Sequence, residues 1–347
     1  MFVRVTSARS PLESTARSDS PRFAVGLTGA DVRVLVDHPD LAARVDGLGA
    51  DFVALGVDAH SGREPGALPR RPTVEATVAI AVLADVVSTT TLLSVSSPFA
   101  DHPYNIARRA ATLHAITGRR GGVVIGATER SRRGSFPARA DHEALAVATP
   151  VEVLADTAVI IRKLWLSWPL ESVVADRERL LFSNGVQILG VDHNGVFRVT
   201  GPLNVPVPRS DQPLLAAIAP VDDELPDASA DVVDVVVHPR ARWRTGGRPR
   251  STFDGAQYAE VVVGGDDAAT AAQVAEAVAV GYDAVLLRPD PTSTVGATDL
   301  IDSTVPTLVR AGTIRPVGPL RGADWSTRAA DLLTDARPAF GPVPAPA

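Results

Sequence analysis

A chain of 347 residues with 45% hydrophobic and 21% charged residues can bury a large core, either as one big domain or as two ordinary ones. Its net charge of −6 gives no footprint for general nucleic-acid or anionic-membrane binding. The absence of cysteine excludes disulfides, thiolate metal sites and cysteine nucleophiles, and fits a cytoplasmic protein.

Residues 1–22 are rich in Arg and Ser and lack the apolar centre of a secretory signal. They are expected to be a partly ordered extension, with a transit peptide as the other reading. A short buried strand is predicted from Phe23, with a possible second strand piece at residues 32–36. Residues 37–48 have helical spacing, opened by His38-Pro39-Asp40 and closed by Gly47 and Gly49. A buried strand over residues 51–57 ends at Asp58. A helix is predicted over 73–87, a strand over 89–97, a helix over 102–117 and a strand over 121–127. Residues 150–168 form a strongly periodic helix. Further strands are predicted over 214–218, 231–237, 260–263 and 283–288, and helices over 268–280 and 299–311. Residues 337–347 are a Pro- and Ala-rich tail, expected to be loose.

Strands separated by helices imply parallel pairing with right-handed crossovers. About eight strands, several apolar on both faces, favour a (β/α)8 barrel spanning residues 23–336, with a doubly wound sheet as the alternative. Residues 177–213 read as a small insertion before a late barrel strand. No apolar run is long enough for a membrane span, and the seven His residues show no metal-ligand spacing.

The insertion ends in Gly201-Pro-Leu-Asn-Val-Pro206, an order that ordinary packing does not require. Residues 102–113 read His-Pro-Tyr-Asn-Ile-Ala-Arg-Arg-Ala-Ala-Thr-Leu, and residues 164–168 read Leu-Trp-Leu-Ser-Trp. Together with Gly118-Arg119, the strand ending at Asp58 and the segments 281–287 and 299–306, these resemble the luciferase-like flavin monooxygenases. The resembled branch is that of the nitrilotriacetate and dibenzothiophene-sulfone monooxygenases. The resemblance covers residues 22–315. It implies a luciferase-like barrel, and two-component chemistry in which reduced FMN from a separate reductase activates oxygen against a small organic substrate. It also implies a homodimer or larger assembly.

By the same resemblance Asp58, Ser96, Ser97 and Tyr104 are candidate cofactor-binding residues. Asp58 could equally cap a helix, Ser94, Ser96 and Ser97 could be ordinary strand-end polarity, and Tyr104 could be packing. His193 is expected at the surface. Arg130–Arg139 and the cluster Arg240, Arg242, Arg244, Arg248 and Arg250 are basic runs that could hold an anion or simply be solvated. Asp266 or Asp267 reads as a helix cap.

Three expected flavin contacts are missing. Val123 stands where the family has a ring-binding Asn, with Gly126 in place of a Thr. Val151 stands where a Tyr reaches the phosphate. Pro220-Val-Asp-Asp-Glu224 replaces a Gly-Ala-Ser phosphate loop, removing one N–H and adding three carboxylates. The alternative is therefore a non-catalytic or repurposed barrel, such as the partner subunit of an active paralogue. A deazaflavin or nicotinamide cofactor is a lesser option.

Overall fold

The computed structural model describes residues 20–59, 73–128, 142–221, 225–244, 253, 255–334 and 336–340. The basic run Arg130–Arg139, Arg248, Arg250, the acidic residues Asp222, Asp223 and Glu224, most of the N-terminal extension and residues 341–347 lie outside them.

Eight strands close into a barrel: β1 (Arg22–Leu27), β2 (Val53–Leu55), β3 (Leu92–Ser96), β4 (Gly121–Ile125), β5 (Leu214–Ile218), β6 (Val235–His238), β7 (Ala256–Val263) and β8 (Ala284–Pro289). Each pairs in parallel with its sequence neighbour, and β8 returns to β1. A principal helix follows each strand: α1 (Gly29–Asp37), α2 (Ala76–Leu83), α3 (Pro103–Ile116), α4 (Pro150–Ser167), α5 (Asp227–Ala230), α6 (Arg240–Arg244), α7 (Asp267–Val280) and α8. The last begins at Ala297–Asp299, passes through a π-turn at Leu300–Thr304 and ends in Val305–Arg310.

Side chains alternate across the barrel wall, as the strand period requires. Ala24, Phe52, Ala54, Val95, Val124, Ala216, Val237, Tyr258 and Leu286 pack into the lumen. Their neighbours, such as Val25, Leu55, Leu215 and Val261, pack outward against the helices. The lumen is therefore a packed core and not a pore. Gly122 marks its tightest point, because a Cβ there would lie 2.2 Å from the Leu214 carbonyl oxygen.

Two local expectations change. Residues 32–36 are helical, not extended. Thr28 and Asp31 form a capping box that starts α1, and Val32 and Leu35, one turn apart, supply its buried face. The single helix expected over 37–48 is broken into Pro39–Ala43 and a 3-10 turn, Arg44–Leu48, that stops at Gly49 with φ 68°.

Between α4 and β5 the chain leaves the barrel, from Pro169 to Pro213. It forms one hairpin of Val173–Asp176 with Leu181–Ser183 and a second of Asp192–Asn194 with Arg198–Thr200. Leu189–Gly190 pairs with Arg337–Pro338. Asp156 on α4 pins this excursion: its Oδ1 lies 2.7 Å from His193 Nε2, and its Oδ2 accepts from the Phe197 amide at 2.9 Å. His193 is thus largely buried, correcting the surface expectation, because the carboxylate of α4 holds it inward. The Gly201–Pro206 turn, with a cis Gly201–Pro202 bond, packs on the same helices. The Leu203 amide donates to Ser167 Oγ, and Leu203 is fully buried.

Candidate active site at the barrel mouth

All eight strands end at one face, and the helices start there. This face is the mouth, where parallel barrels carry their sites. Alternation from Tyr258 and Leu286 turns Glu260 and Arg288 inward at this end. Arg288 Nε donates to Glu260 Oε1 at 2.5 Å, and each side chain is 14% exposed. The second carboxylate oxygen, Oε2, accepts from the Arg240 amide at 3.0 Å. Around this pair the surface is apolar and small. A Cβ on Gly26 would meet Val57 at 2.9 Å and the Arg288 stem at 3.4 Å, and Ile218 closes the opposite wall. Among the described residues the mouth therefore presents a held cation–carboxylate pair over a filled lumen. Neither residue was a sequence candidate. The available signal was a charged residue inside each of two otherwise apolar strands.

The sequence candidates occupy separate places. Asp58 is exposed and its Oδ1 accepts from the Gly29 amide at 2.8 Å, capping α1. Ser96 is half-buried. Ser97 is buried, and its Oγ accepts from the Phe99 amide at 3.4 Å. Register sets Ser94 beside Leu55 and Val123 on the outward side, which Ser96 shares by alternation. The Tyr104 hydroxyl donates to the Pro202 carbonyl at 3.3 Å, tying α3 to the excursion. No hydrogen bond or ion pair joins any two of Asp58, Ser96, Ser97 and Tyr104 among the described residues. Val123 packs outward against the helix layer, so no side chain at that position reaches the lumen, whatever its chemistry. Val151 packs against the same layer.

The helix starts decide what a cofactor phosphate would meet. At α1, Asp31 Oδ2 accepts from the Thr28 amide at 3.0 Å. At α2, Glu75 accepts from the Val78 amide at 3.0 Å. At α4, Glu152 accepts from the Thr149 amide at 2.7 Å. That amide and the Thr149 hydroxyl hold the Glu152 carboxyl below its ordinary range. At α6 the acceptor is Glu260, and at α7 it is Asp266, which takes the Ala268 and Ala269 amides. At α8, Asp299 takes the Gly296 amide and Asp31 Oδ1 the Ala297 amide, each at 2.9 Å. Burial pushes the Asp31 carboxyl up, as does the nearby Asp58 charge, against the hydrogen bonds of Thr28 and Ala297. In the loop after β5, the Pro220 and Val221 carbonyls receive Arg242 Nη1 at 3.3 and 3.5 Å. Among its described residues the loop shows two carbonyls to a cation. These residues do not fit a flavin phosphate.

A pocket of about 290 Å³, open solvent included, lies on the outer side of β5–β7, lined by Leu225, Val236, His238, Arg242, Phe253 and Gln257. Burial, and then the Arg242 charge, push the His238 imidazole down to about 4, against the hydrogen bond with Gln257. No group of three or more potential metal-binding side chains occurs among the described residues, and no helix there is long and apolar enough to cross a membrane.

No protein-family model and no curated protein sequence matches the chain. Solved structures do match. A riboflavin lyase solved with modified FMN and riboflavin aligns over 93% of this chain and 97% of its own, with 16% identity and a TM-score of 0.58. A long-chain alkane monooxygenase aligns over 90% and 95%, with 15% identity and a TM-score of 0.58. The EDTA monooxygenase of Chelativorans sp. BNC1 aligns over 91% and 98%, with 14% identity and a TM-score of 0.53. The fold is the luciferase-like barrel. Glu260 and Arg288 lie on the face at which parallel barrels generally carry their sites.

Proposed function

We propose that this luciferase-like barrel is a flavin-dependent oxidoreductase of the two-component monooxygenase type. It takes reduced flavin from a separate reductase and acts on a small organic substrate at the mouth. The observation that carries this reading is the mouth itself, an apolar, filled lumen topped by one held charged pair, in a fold shared nearly end to end with a riboflavin lyase and two monooxygenases. Such a surface would exclude water from a bound flavin, and the Arg288 guanidinium, fixed by Glu260, would supply a localised positive charge to it. The expected cofactor was FMN. The ring side of that expectation has support here, whereas the phosphate side does not. Anaerobic titration of the purified chain with oxidised and reduced flavin tests the reading. Binding, followed by oxygen-dependent turnover when a flavin reductase is added, is the expected outcome. Absence of binding to every flavin at high micromolar concentration defeats it and leaves a repurposed barrel. Assembly as a homodimer or larger is part of the proposal and is checked by light scattering.

A further inference from the structure

Parallel barrels gather the positive ends of their helices, and the open amides there, at one face. Phosphates are ordinarily received at such amides. In this chain six of the eight helix starts already hold a carboxylate of the chain, at α1, α2, α4, α6, α7 and α8. The other two offer little. α3 opens with Pro103, and its Tyr104 amide is taken by His102 Nδ1. α5 is a four-residue turn that follows Pro226. Among the described residues, a dianion arriving at these helix starts meets fixed negative charge where it needs donors, and the loop after β5 adds carbonyl oxygens directed at Arg242.

We propose that the flavin taken at this mouth is the phosphate-free form, riboflavin, in preference to FMN or FAD; the proposal rests on the flavin-dependent reading above. A ribityl tail is neutral and hydroxylated. It donates to carboxylates and carbonyls, the groups this face presents, whereas a phosphate monoester only accepts and is repelled. The guanidinium groups of Arg288, Arg242 and Arg240 oppose this. Arg240 Nε is buried without a partner among the described residues.

The test is equilibrium titration of the full chain with riboflavin, FMN and FAD, followed by flavin fluorescence, at low and high salt. Riboflavin is expected to bind at least about tenfold more tightly than FMN. The gap is expected to narrow as salt screens the carboxylates. Glu152→Gln keeps the acceptor for the Thr149 amide and removes the charge, so it is expected to narrow the gap at low salt while leaving riboflavin affinity in place. FMN binding as tightly as riboflavin, or more tightly, overturns the proposal and leaves the flavin reading standing, with Arg240 the group to examine. A gap that ignores both salt and Glu152→Gln overturns the electrostatic exclusion. A chain that binds none of the three removes the flavin reading and the proposal together.

Discussion

His238 sits 3% exposed at the end of β6, with Gln257 Oε1 at 3.3 Å from its Nε2, Tyr282 edge-on to its ring and Arg242 close by. Both burial and Arg242 disfavour its cation, so the folded chain holds it neutral down to a pKa of about 4, whereas an unfolded His titrates near 6.5. Its contribution to stability is full above pH 6.5 and is lost as the pH falls from there toward 4, by about 3 kcal/mol at most. Replacing His238 with Phe is expected to flatten the dependence of the urea midpoint on pH in that window. His114, pushed the same way by its burial, leaves a residual slope. Unchanged steepness in the variant counts against the assignment. Arg162 is a second decisive residue. It is fully buried between the Trp165 and Trp325 rings, and its guanidinium donates to Asp234 and Gln212, each at 2.9 Å, and to the Val232 carbonyl. Arg162→Met strands the Asp234 carboxylate in the core, and a loss of about 3–5 kcal/mol is expected by denaturant unfolding. A loss below about 1 kcal/mol would show that Asp234 finds water or another donor.

Elements were legible where local chemistry decides them. Asp266 before α7 acts as the cap its residue type suggests, and Thr149 before Pro150 caps α4 in the same way. The barrel followed from strand–helix alternation and from strands apolar on both faces. Residues 32–36 were misread because a Val-rich run has strand composition, and only the Thr28–Asp31 cap turns it into a helix. The pairing of Glu260 with Arg288 was not legible, although each stood out as a charge inside an apolar strand. They are 28 residues apart, and their pairing depends on the register of β7 against β8, which no local spacing records. The same holds for the excursion, whose attachment runs through Asp156, far from it in sequence. Asp156→Ala removes the partner of His193 and leaves the Phe197 amide without its acceptor, at a cost of about 1–3 kcal/mol. The loss is expected to be local. Hydrogen exchange of the amides in 192–200 speeds up, while the barrel strands keep their protection. Uniform loss of protection would instead mean that the excursion and the barrel unfold as one unit.

The molecule as a whole divides its polar groups between the two ends of the lumen. At the N-terminal end, Asp51 is fully buried and receives Arg22 Nε and the Tyr258 hydroxyl, each at 2.5 Å. Burial pushes the Tyr258 phenol well above its ordinary range, and the Asp51 charge adds to this, so the hydroxyl stays protonated and donates. Its groups tie β1, the start of β2 and β7 together. At the other end, Glu260 and Arg288 are partly exposed and face the mouth. Equally small changes at the two ends are expected to differ in whether they reach ligand affinity. Tyr258→Phe removes one donor from a buried carboxylate and should cost about 1–3 kcal/mol in unfolding free energy, with flavin affinity unchanged. Glu260→Gln keeps the shape but takes away the charge that fixes Arg288, and because both side chains are only 14% exposed it should also cost about 1–3 kcal/mol in unfolding free energy. Flavin or substrate affinity should then move several-fold, because the guanidinium is no longer held in one position. Denaturant unfolding and flavin titration on the same two variants check both halves. A Glu260→Gln protein that keeps its affinity would place this pair among the structural groups.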